Sequence, residues 1–265
     1  MKEETPISEI TDTFLDWYIE NRHKPDLAEL NDYLLNAALS ARGYNNVESG
    51  ETFFIREILA PSAPKLCLDI GANVGRYSLD LLQSTSTQVI AFEPLASSHR
   101  ELVQNTFAYR ERVFCENKGI GNVNGELTLH FDASASVLAS FSEEVKKVSY
   151  VGNEEQATAE VVTLDSYCSA NRITDIDLIK IDTEGFETEV FEGGRQVFSE
   201  IRPKFVQMEF NWHQMFRSKT LNDFAEKLPD YDVYQLLPDG WAQRDPRDPL
   251  SNLYQFSNFV FVLGN

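Results

Sequence analysis

The sequence predicts an α/β fold in which helices cover both faces of a mostly parallel β-sheet. From Lys65 onward, short apolar runs that end at a polar or acidic residue alternate with stretches of helical periodicity. This alternation is typical of βαβ units, because a parallel strand needs a crossover connection to reach its neighbour. The composition agrees, since the 265 residues are 42% hydrophobic and 25% charged, as in an ordinary globular protein.

Residues 1 to 50 precede this pattern and are predicted to form a helical extension or lid, with residues 51 to 265 as the α/β domain. Apolar residues recur there at helical spacing in two sets, Ile10, Phe14, Leu15 and Tyr18, then Leu27, Leu30, Leu34 and Leu35.

Seven runs are predicted as strands of the main sheet: KLCLDI, QVIAFE, RVFCEN, DLIKID, KFVQMEF, DVYQLLP and NFVFVLG. Two further runs, GELTLHF from Gly125 and AEVVTL from Ala159, have no helix between them and predict an inserted hairpin at a sheet edge. The last two strands of the main sheet are separated by roughly twenty residues, which is longer than the usual connection.

The net charge and the cysteine content limit which binding partners and which cellular compartment are expected. A net charge of -19 opposes a polyanionic partner, so no nucleic-acid binding is expected. The three cysteines lie far apart without a CxxC pair, which predicts neither a disulfide framework nor a zinc site. No apolar stretch has the length of a signal-peptide core or a membrane span. A soluble, cytoplasmic protein is therefore expected.

The first predicted strand leads into a turn that indicates a cofactor class. Gly71 and Gly75 follow KLCLDI, and in open α/β sheets ligands bind at the carboxyl ends of such strands. A dinucleotide fingerprint needs a glycine where this chain has Asn73, so the turn lacks the full diphosphate cradle. The carboxylate of Asp69, at the strand end, can accept a hydrogen bond from a ligand ammonium, directly or through water.

Glu93 ends the next strand and suits the two hydroxyls of a ribose through charge-assisted hydrogen bonds. A ribose and an ammonium without a diphosphate describe S-adenosylmethionine better than NAD. Each signal has an alternative when taken alone, a bare strand-to-helix turn for the glycines and a solvated strand end for Glu93.

Several segments, in this order, resemble the FkbM family of S-adenosylmethionine-dependent O-methyltransferases: LDIGANVGRYS, AFEP, NKGIGNVNGELTL, VVTLDSY and LIKIDTEGFETEVFEGG. The resemblance runs from about Leu66 to the C-terminus. It implies a Rossmann-like, doubly wound sheet of seven strands with an antiparallel last strand, and methyl transfer to a hydroxyl of a sugar or a polyketide-type product. By motif position it implies a cofactor turn of Asp69, Gly71, Asn73 and Gly75, a ribose ligand in Glu93, and an adenine contact by Asn117.

Asp182 is the leading catalytic candidate. Period-two alternation puts it on the same side of its strand as Lys180, emerging at the carboxyl end beside the predicted cofactor turn. Its carboxylate can accept the proton of an acceptor hydroxyl, or hold a divalent cation such as Mg²⁺ together with Glu209 and Asn211. His213 is either a general base or a surface or hydrogen-bonded histidine. Lys180 either pairs with Asp182 or acts as a neutral catalytic lysine.

Glu184 and Glu187 flank Gly185, where a helix is predicted to begin. In the first turn of that helix both carboxylates would interact favourably with the helix dipole. A structural role therefore competes with a functional one for this pair.

The acceptor is predicted to be a sugar or glycan held by the segment PDGWAQRDPRDPLSNLYQF, through Trp241, Arg244 and Arg247. The competing interpretation is a stiff connection whose aromatic residues belong to the core. The leading function is methyl transfer from S-adenosylmethionine to a hydroxyl of a sugar, glycan or glycosylated metabolite. An NAD-type oxidoreductase and a non-catalytic cofactor-binding module remain the alternatives.

Overall fold

The computed structural model describes residues 7–44, 49–132, 139–147, 152 and 154–264. The chain divides into two compact units, Met1–Arg42 and Gly43–Asn265. The first unit holds α1 (Ile7–Asn21), a 3-10 turn (Pro25–Leu27) and α2 (Ala28–Ala41). The Tyr18 hydroxyl donates a hydrogen bond of 2.8 Å to Asn31 Oδ1 between the two helices.

The second unit begins with α3 (Glu51–Phe53), which continues as a π-helix (Phe54–Leu59) and a 3-10 turn (Ala60–Ser62). Its strands are β1 (Leu66–Ile70), β2 (Gln88–Phe92), β3 (Val113–Glu116), β4 (Gly119–Gly121), β5 (Gly125–Phe131), β6 (Glu155–Thr163), β7 (Leu178–Ile181), β8 (Phe205–Phe210), β9 (Tyr231–Leu237), β10 (Gly240–Gln243) and β11 (Ser257–Leu263). Its longer helices are α4 (Arg76–Ser84), α5 (Ala96–Thr106), α6 (Leu164–Ala170), α7 (Glu187–Gly193), α8 (Trp212–Phe216) and α9 (Leu221–Ala225).

The main sheet has eight strands in the order β10-β9-β11-β8-β7-β1-β2-β3. Neighbours from β8 to β3 are parallel, and β11 runs antiparallel to both β8 and β9. A Rossmann-like sheet with an antiparallel last strand is therefore confirmed. The count of seven strands is one too low, because Pro238 and Asp239 form a tight turn that folds β10 back onto β9.

The two runs predicted as an inserted hairpin form a separate sheet instead of an edge of the main one. β5 and β6 pair in antiparallel fashion, as expected, but β6 also pairs in parallel with β4. The short strand GIG had no strand-like length of its own, so its pairing was not predictable from local pattern.

Apolar side chains cover both faces of the main sheet, which explains why its central strands are continuous apolar runs. Ile179 and Ile181 join one buried cluster with α7, whereas Leu178 joins the other with α4 and the π-helix. All six residues of β8 are buried. Among the described residues, no helix combines the length and apolar character needed to cross a membrane.

Candidate active site

A cavity of about 390 Å³ opens at the carboxyl ends of the parallel strands, within the size range of small-molecule sites. Main-sheet loops form one wall, and the small sheet with the segment around Ser140 forms another. The lining residues are Glu51, Ile70, Gly71, Asn73, Arg76, Phe92, Glu93, Pro94, Gly119, Ile120, Leu129, Ala139, Ser140, Phe141, Asp182, Thr183, Glu184, Glu209, Phe256 and Asn258.

The turn after β1 is shaped by glycine. Gly71 has a φ of +84°, and a Cβ there would lie 1.7 Å from the backbone oxygen of Asp182. Only a residue without a side chain allows the β1 turn and the end of β7 to approach so closely. Gly75 caps α4 at a φ of +86°. Asn73 lines the cavity, and its buried Oδ1 has no hydrogen-bond partner among the described residues. That orphaned acceptor is available to a ligand donor.

Glu93 lies at the cavity wall just after β2. Its two carboxylate oxygens accept hydrogen bonds from the backbone N–H of Asn73 at 2.8 Å and of Leu95 at 2.7 Å. Burial raises the pKa of Glu93 to about 7, although these two hydrogen bonds oppose the shift. Each carboxylate oxygen keeps a lone pair for a further donor.

Asn117 lies outside the cavity lining. Its Nδ2 donates to the carbonyl oxygens of Glu93 at 2.9 Å and Pro94 at 3.1 Å. The side chain therefore braces the end of β2, and its placement does not support the predicted adenine contact.

Asp69 is fully buried behind the cavity wall, so the predicted direct contact with a ligand ammonium is not supported. Its Oδ2 accepts a hydrogen bond of 2.6 Å from the Ser78 hydroxyl. Its Oδ1 has no hydrogen-bond partner in the described part of the chain. Asp69 pairs in register with Lys180 of β7, so the two side chains occupy the same face of the sheet.

Lys180 is a buried cation that pairs with Asp182. Its Nζ lies 2.7 Å from Asp182 Oδ2 and 4.9 Å from the centre of the Tyr77 ring. Burial lowers the pKa of Lys180, but the carboxylates of Asp182, Asp69 and Glu51 raise it by more, so the pKa lies above its usual value. A protonated amine cannot act as a base, so this placement favours the pairing with Asp182 over a neutral catalytic lysine.

Three carboxylates meet at the end of β7 and β8. Asp182, Glu184 and Glu209 each place an oxygen within 4.8 Å of the other two. Glu184 lies in the turn before α7, at a φ of +52°, and not in the first turn of the helix as predicted. Burial and the neighbouring carboxylates of Asp182 and Glu184 raise the pKa of Glu209 well above its usual value.

Asn211 is not placed as a metal ligand. Its Oδ1 accepts a hydrogen bond of 2.8 Å from the backbone N–H of His213 and so caps α8, while its Nδ2 donates to Glu209. The side chain thus orients Glu209, and the predicted set of Asp182, Glu209 and Asn211 is replaced by one that contains Glu184.

Glu187 organises the loop that carries Glu184. One carboxylate oxygen accepts from the backbone N–H groups of Thr183 and Gly185, both at 3.1 Å. The other accepts from Gln214 Nε2 at 2.7 Å. Its position in the first turn of α7 matches the prediction, and its role is structural.

His213 is buried behind Glu184 and does not line the cavity. Its Nδ1 lies 3.1 Å from Glu184 Oε2. Burial lowers the pKa of His213, but the Glu184 carboxylate raises it by more, and the net direction is upward. The placement fits the alternative of a histidine paired with a polar neighbour, and from this position His213 reaches the cavity through Glu184.

The three residues predicted to bind the acceptor lie away from the cavity, although Phe256 at the end of the same segment lines it. Trp241 is on β10, where it stacks on Tyr234 with ring centroids 4.4 Å apart and packs against the core. Arg244 Nε donates to Gln235 Oε1 at 2.8 Å, and Arg247 pairs with Asp245. None of Trp241, Arg244 and Arg247 lines the cavity, so the structure supports the competing interpretation of a connecting segment.

The lining residues that sequence reasoning missed include Glu51, Arg76, Ser140 and Phe141. Ser140 Oγ donates a hydrogen bond of 2.7 Å to the Glu184 carbonyl oxygen, which joins the segment around Ser140 to the loop between β7 and α7. The Phe141 ring lies 5.3 Å from Phe186. Arg76 follows Gly75 of the cofactor turn, whereas Glu51, Ser140 and Phe141 reach the cavity from segments distant in the sequence, where no local pattern marks them.

The residues around the cavity fit S-adenosylmethionine. The glycine cradle at Gly71, the unsatisfied Asn73 Oδ1 and the Glu93 carboxylate provide close backbone approach and polar partners, and nothing in this set resembles a diphosphate cradle. The apolar side chains of Phe92, Ile120 and Leu129 also line the cavity and suit a nucleobase.

Comparison with known proteins agrees with a methyltransferase. The model of the FkbM methyltransferase domain matches residues 69–233. The 2-O-methyltransferase NoeI of Sinorhizobium fredii (strain NBRC 101917 / NGR234) is 25% identical over 186 residues, covering 65% of this chain and 74% of that protein.

Solved structures with a similar fold include an O-methyltransferase from Bacillus cereus in complex with SAH. It has 12% identity and a TM-score of 0.44, covering 95% of this chain and 97% of that one. The methyltransferase domain of bacterial CtHen1-C has 14% identity and a TM-score of 0.44, covering 83% of this chain and all of the other. Because these identities and TM-scores are low, the fold is identified from the strand order of this chain and not from the solved structures.

The FkbM model spans more than half of the chain and includes the glycine turn, Glu93, Asp182 and Glu209. This match decides against the oxidoreductase and the non-catalytic module. The chain therefore belongs to the FkbM family of S-adenosylmethionine-dependent methyltransferases.

Proposed function

We propose that the protein transfers a methyl group to a hydroxyl of a sugar, within a glycan or a glycosylated metabolite. The observation that carries the proposal is the position of Asp182, whose backbone meets the cofactor turn at Gly71 and whose carboxylate lines the cavity. A hydroxyl is a weak nucleophile, so a carboxylate at this point has a chemical task.

When bound, S-adenosylmethionine supplies a methyl group already activated by its sulfonium. The residues of the chain then have to align the acceptor oxygen and take its proton, and alignment alone accounts for a large part of such a rate enhancement. Asp182 accepts the proton. Lys180, at 2.7 Å, holds the carboxylate in position and stabilises its negative charge.

The neighbouring acids have a complementary role. Three carboxylates this close do not readily all carry a charge, and burial with the neighbouring Asp182 and Glu184 carboxylates raises the pKa of Glu209 well above its usual value. In its protonated form, Glu209 can donate a hydrogen bond to the acceptor. His213 and Glu184 form a second pair that balances charge at the cavity wall.

A divalent cation held by Asp182, Glu184 and Glu209 is the alternative means of activating the hydroxyl, since hard oxygen ligands suit Mg²⁺. Dialysis against EDTA separates the two mechanisms. We expect full activity after dialysis. Loss of activity that Mg²⁺ restores would assign the three carboxylates to a cation.

Two observations support a sugar acceptor. Carboxylates and the Asn258 amide line the cavity, and such groups bind the adjacent hydroxyls of a sugar ring. The relative with 25% identity is named a 2-O-methyltransferase, which supports transfer to oxygen. A net charge of -19 also disfavours a nucleic-acid acceptor.

The test supplies radiolabelled S-adenosylmethionine with sugar nucleotides, extracted glycans, a lipid fraction, RNA and bulk protein in separate reactions. Label is expected as an alkali-stable methyl ether on a sugar, and Asp182→Asn should abolish it. Incorporation confined to RNA or protein would contradict the sugar acceptor.

A further inference from the structure

Glu51 is a cavity-lining carboxylate that lies outside residues 69–233, the part of the chain matched by the FkbM domain. It is the first residue of α3, ahead of β1. Its Oε1 accepts a hydrogen bond of 2.9 Å from Gln207 Nε2, and its Oε2 accepts one of 3.0 Å from the Ser49 hydroxyl. Two neutral donors thus hold the Glu51 carboxyl group at the cavity wall, and no cation is bonded to it among the described residues.

Around Glu51, acidic side chains outnumber basic ones. Lys180 interacts electrostatically with the carboxylates of Asp182, Asp69 and Glu51, and it is a single ammonium group. Asp69 is fully buried, and its Oδ1 has no hydrogen-bond partner within the described ranges. One ammonium group cannot pair closely with all three carboxyl groups, so a second cation at the cavity wall is favoured here.

The position of Glu51 along the sheet indicates which cation this is. Glu93, the carboxylate suited to a ribose, follows β2 on one side of the β1 turn. Gln207 and Lys180, the neighbours of Glu51, belong to β8 and β7 on the other side. Besides its sulfonium, S-adenosylmethionine carries one permanent cationic group away from the ribose, the α-ammonium of its amino-acid end.

We propose that Glu51 binds the α-ammonium group of S-adenosylmethionine. Asp69, which the sequence pattern favoured for this contact, lies behind the cavity wall, whereas Glu51 lines the cavity itself. The carboxyl group of Asp69, buried behind the cavity wall, contributes to the negative potential at this site. The segment ahead of β1 is therefore part of the cofactor site, independently of which acceptor the enzyme uses.

The test measures binding by calorimetry, so it does not depend on the acceptor. The ligands are S-adenosylhomocysteine, which has the α-ammonium, and its des-amino analogue, which lacks it. Glu51→Gln keeps an oxygen for the Gln207 hydrogen bond and removes the charge. It should weaken S-adenosylhomocysteine about tenfold or more, the loss expected for one charge-assisted hydrogen bond, and change the des-amino analogue less than about twofold.

The matched control is Glu57→Gln, which removes an exposed carboxylate six residues further along the same helical segment. It should leave both affinities unchanged. Equal losses for the two ligands in Glu51→Gln would mean that Glu51 only shapes the cavity, and no loss for S-adenosylhomocysteine would exclude the contact. If Glu51→Gln does not fold, Glu51→Asp keeps the charge and shortens the side chain, and the same comparison of ligands decides.

Discussion

Replacing Glu93 with Gln tests whether the buried Glu93 carboxyl group makes the stability of the protein depend on pH. The folded pKa of Glu93 is about 7, against a reference value of 4.5, because burial disfavours its charged form. The folded state therefore holds a proton that the unfolded chain has released between these two pH values. For a carboxyl group shifted upward, the stabilising contribution is present at low pH and is lost as pH rises through the folded pKa.

The magnitude follows from the size of the shift. A difference of about 2.5 pKa units corresponds to roughly 3 kcal/mol, most of which is lost between pH 5 and pH 8. The variant cannot titrate, so the stability of the natural protein relative to Glu93→Gln should fall by about 2 to 3 kcal/mol over that interval. A constant term of about 1 to 3 kcal/mol also appears, because the amide group of Gln turns a donor toward one of the two backbone N–H groups.

Urea unfolding of both proteins at pH 5, 6, 7 and 8 measures this difference. Glu101→Gln, on the exposed side of α5, controls for the loss of a surface charge. A stability difference between the natural protein and Glu93→Gln that does not change with pH would refute the reasoning, since it would mean that Glu93 ionises normally in the folded state.

Three further substitutions test the site and its supports. Asp182→Asn should keep cofactor affinity within about threefold and lower kcat by about 10² or more, and normal turnover would remove Asp182 from catalysis. Gly71→Ala should lower both Tm and cofactor affinity, because its Cβ would lie 1.7 Å from the Asp182 oxygen, whereas Gly240→Ala meets no atom within 4 Å and should change neither. Trp241→Ala should cost about 2 kcal/mol of stability through lost packing and leave the acceptor KM unchanged; a raised KM would return the residue to the acceptor site.

The main-sheet strands were predictable because each is a local pattern. The runs KLCLDI, QVIAFE and NFVFVLG lie within one or two residues of β1, β2 and β11. Buried parallel strands require apolar residues on both faces, so their sequence marks them without tertiary information. The glycine turn was equally local, since a positive φ at position 71 restricts the residue that can stand there.

The sequence also determined that Asp182 reaches the cofactor turn, because side chains alternate along a strand and strand ends of a parallel sheet lie at one edge. What only the tertiary structure decided is which side chains share a wall of the cavity. Asp69 and Glu51 carry the same group, yet packing buries the first behind Ser78 and brings the second to the cavity from before β1.

Tertiary packing also decided that Glu184 and Ser140 reach the cavity wall, whereas Asn211 and Trp241 do not. Asn211 looked like a ligand at a strand end, but the start of α8 takes its oxygen for a helix cap. Ser140 lies in a stretch without periodicity and reaches Glu184 across 44 residues of sequence. Local sequence specifies backbone conformation and the direction of a side chain along its own element. The neighbours of that side chain depend on strand order and on crossings of the chain, and these are fixed only when the whole core packs.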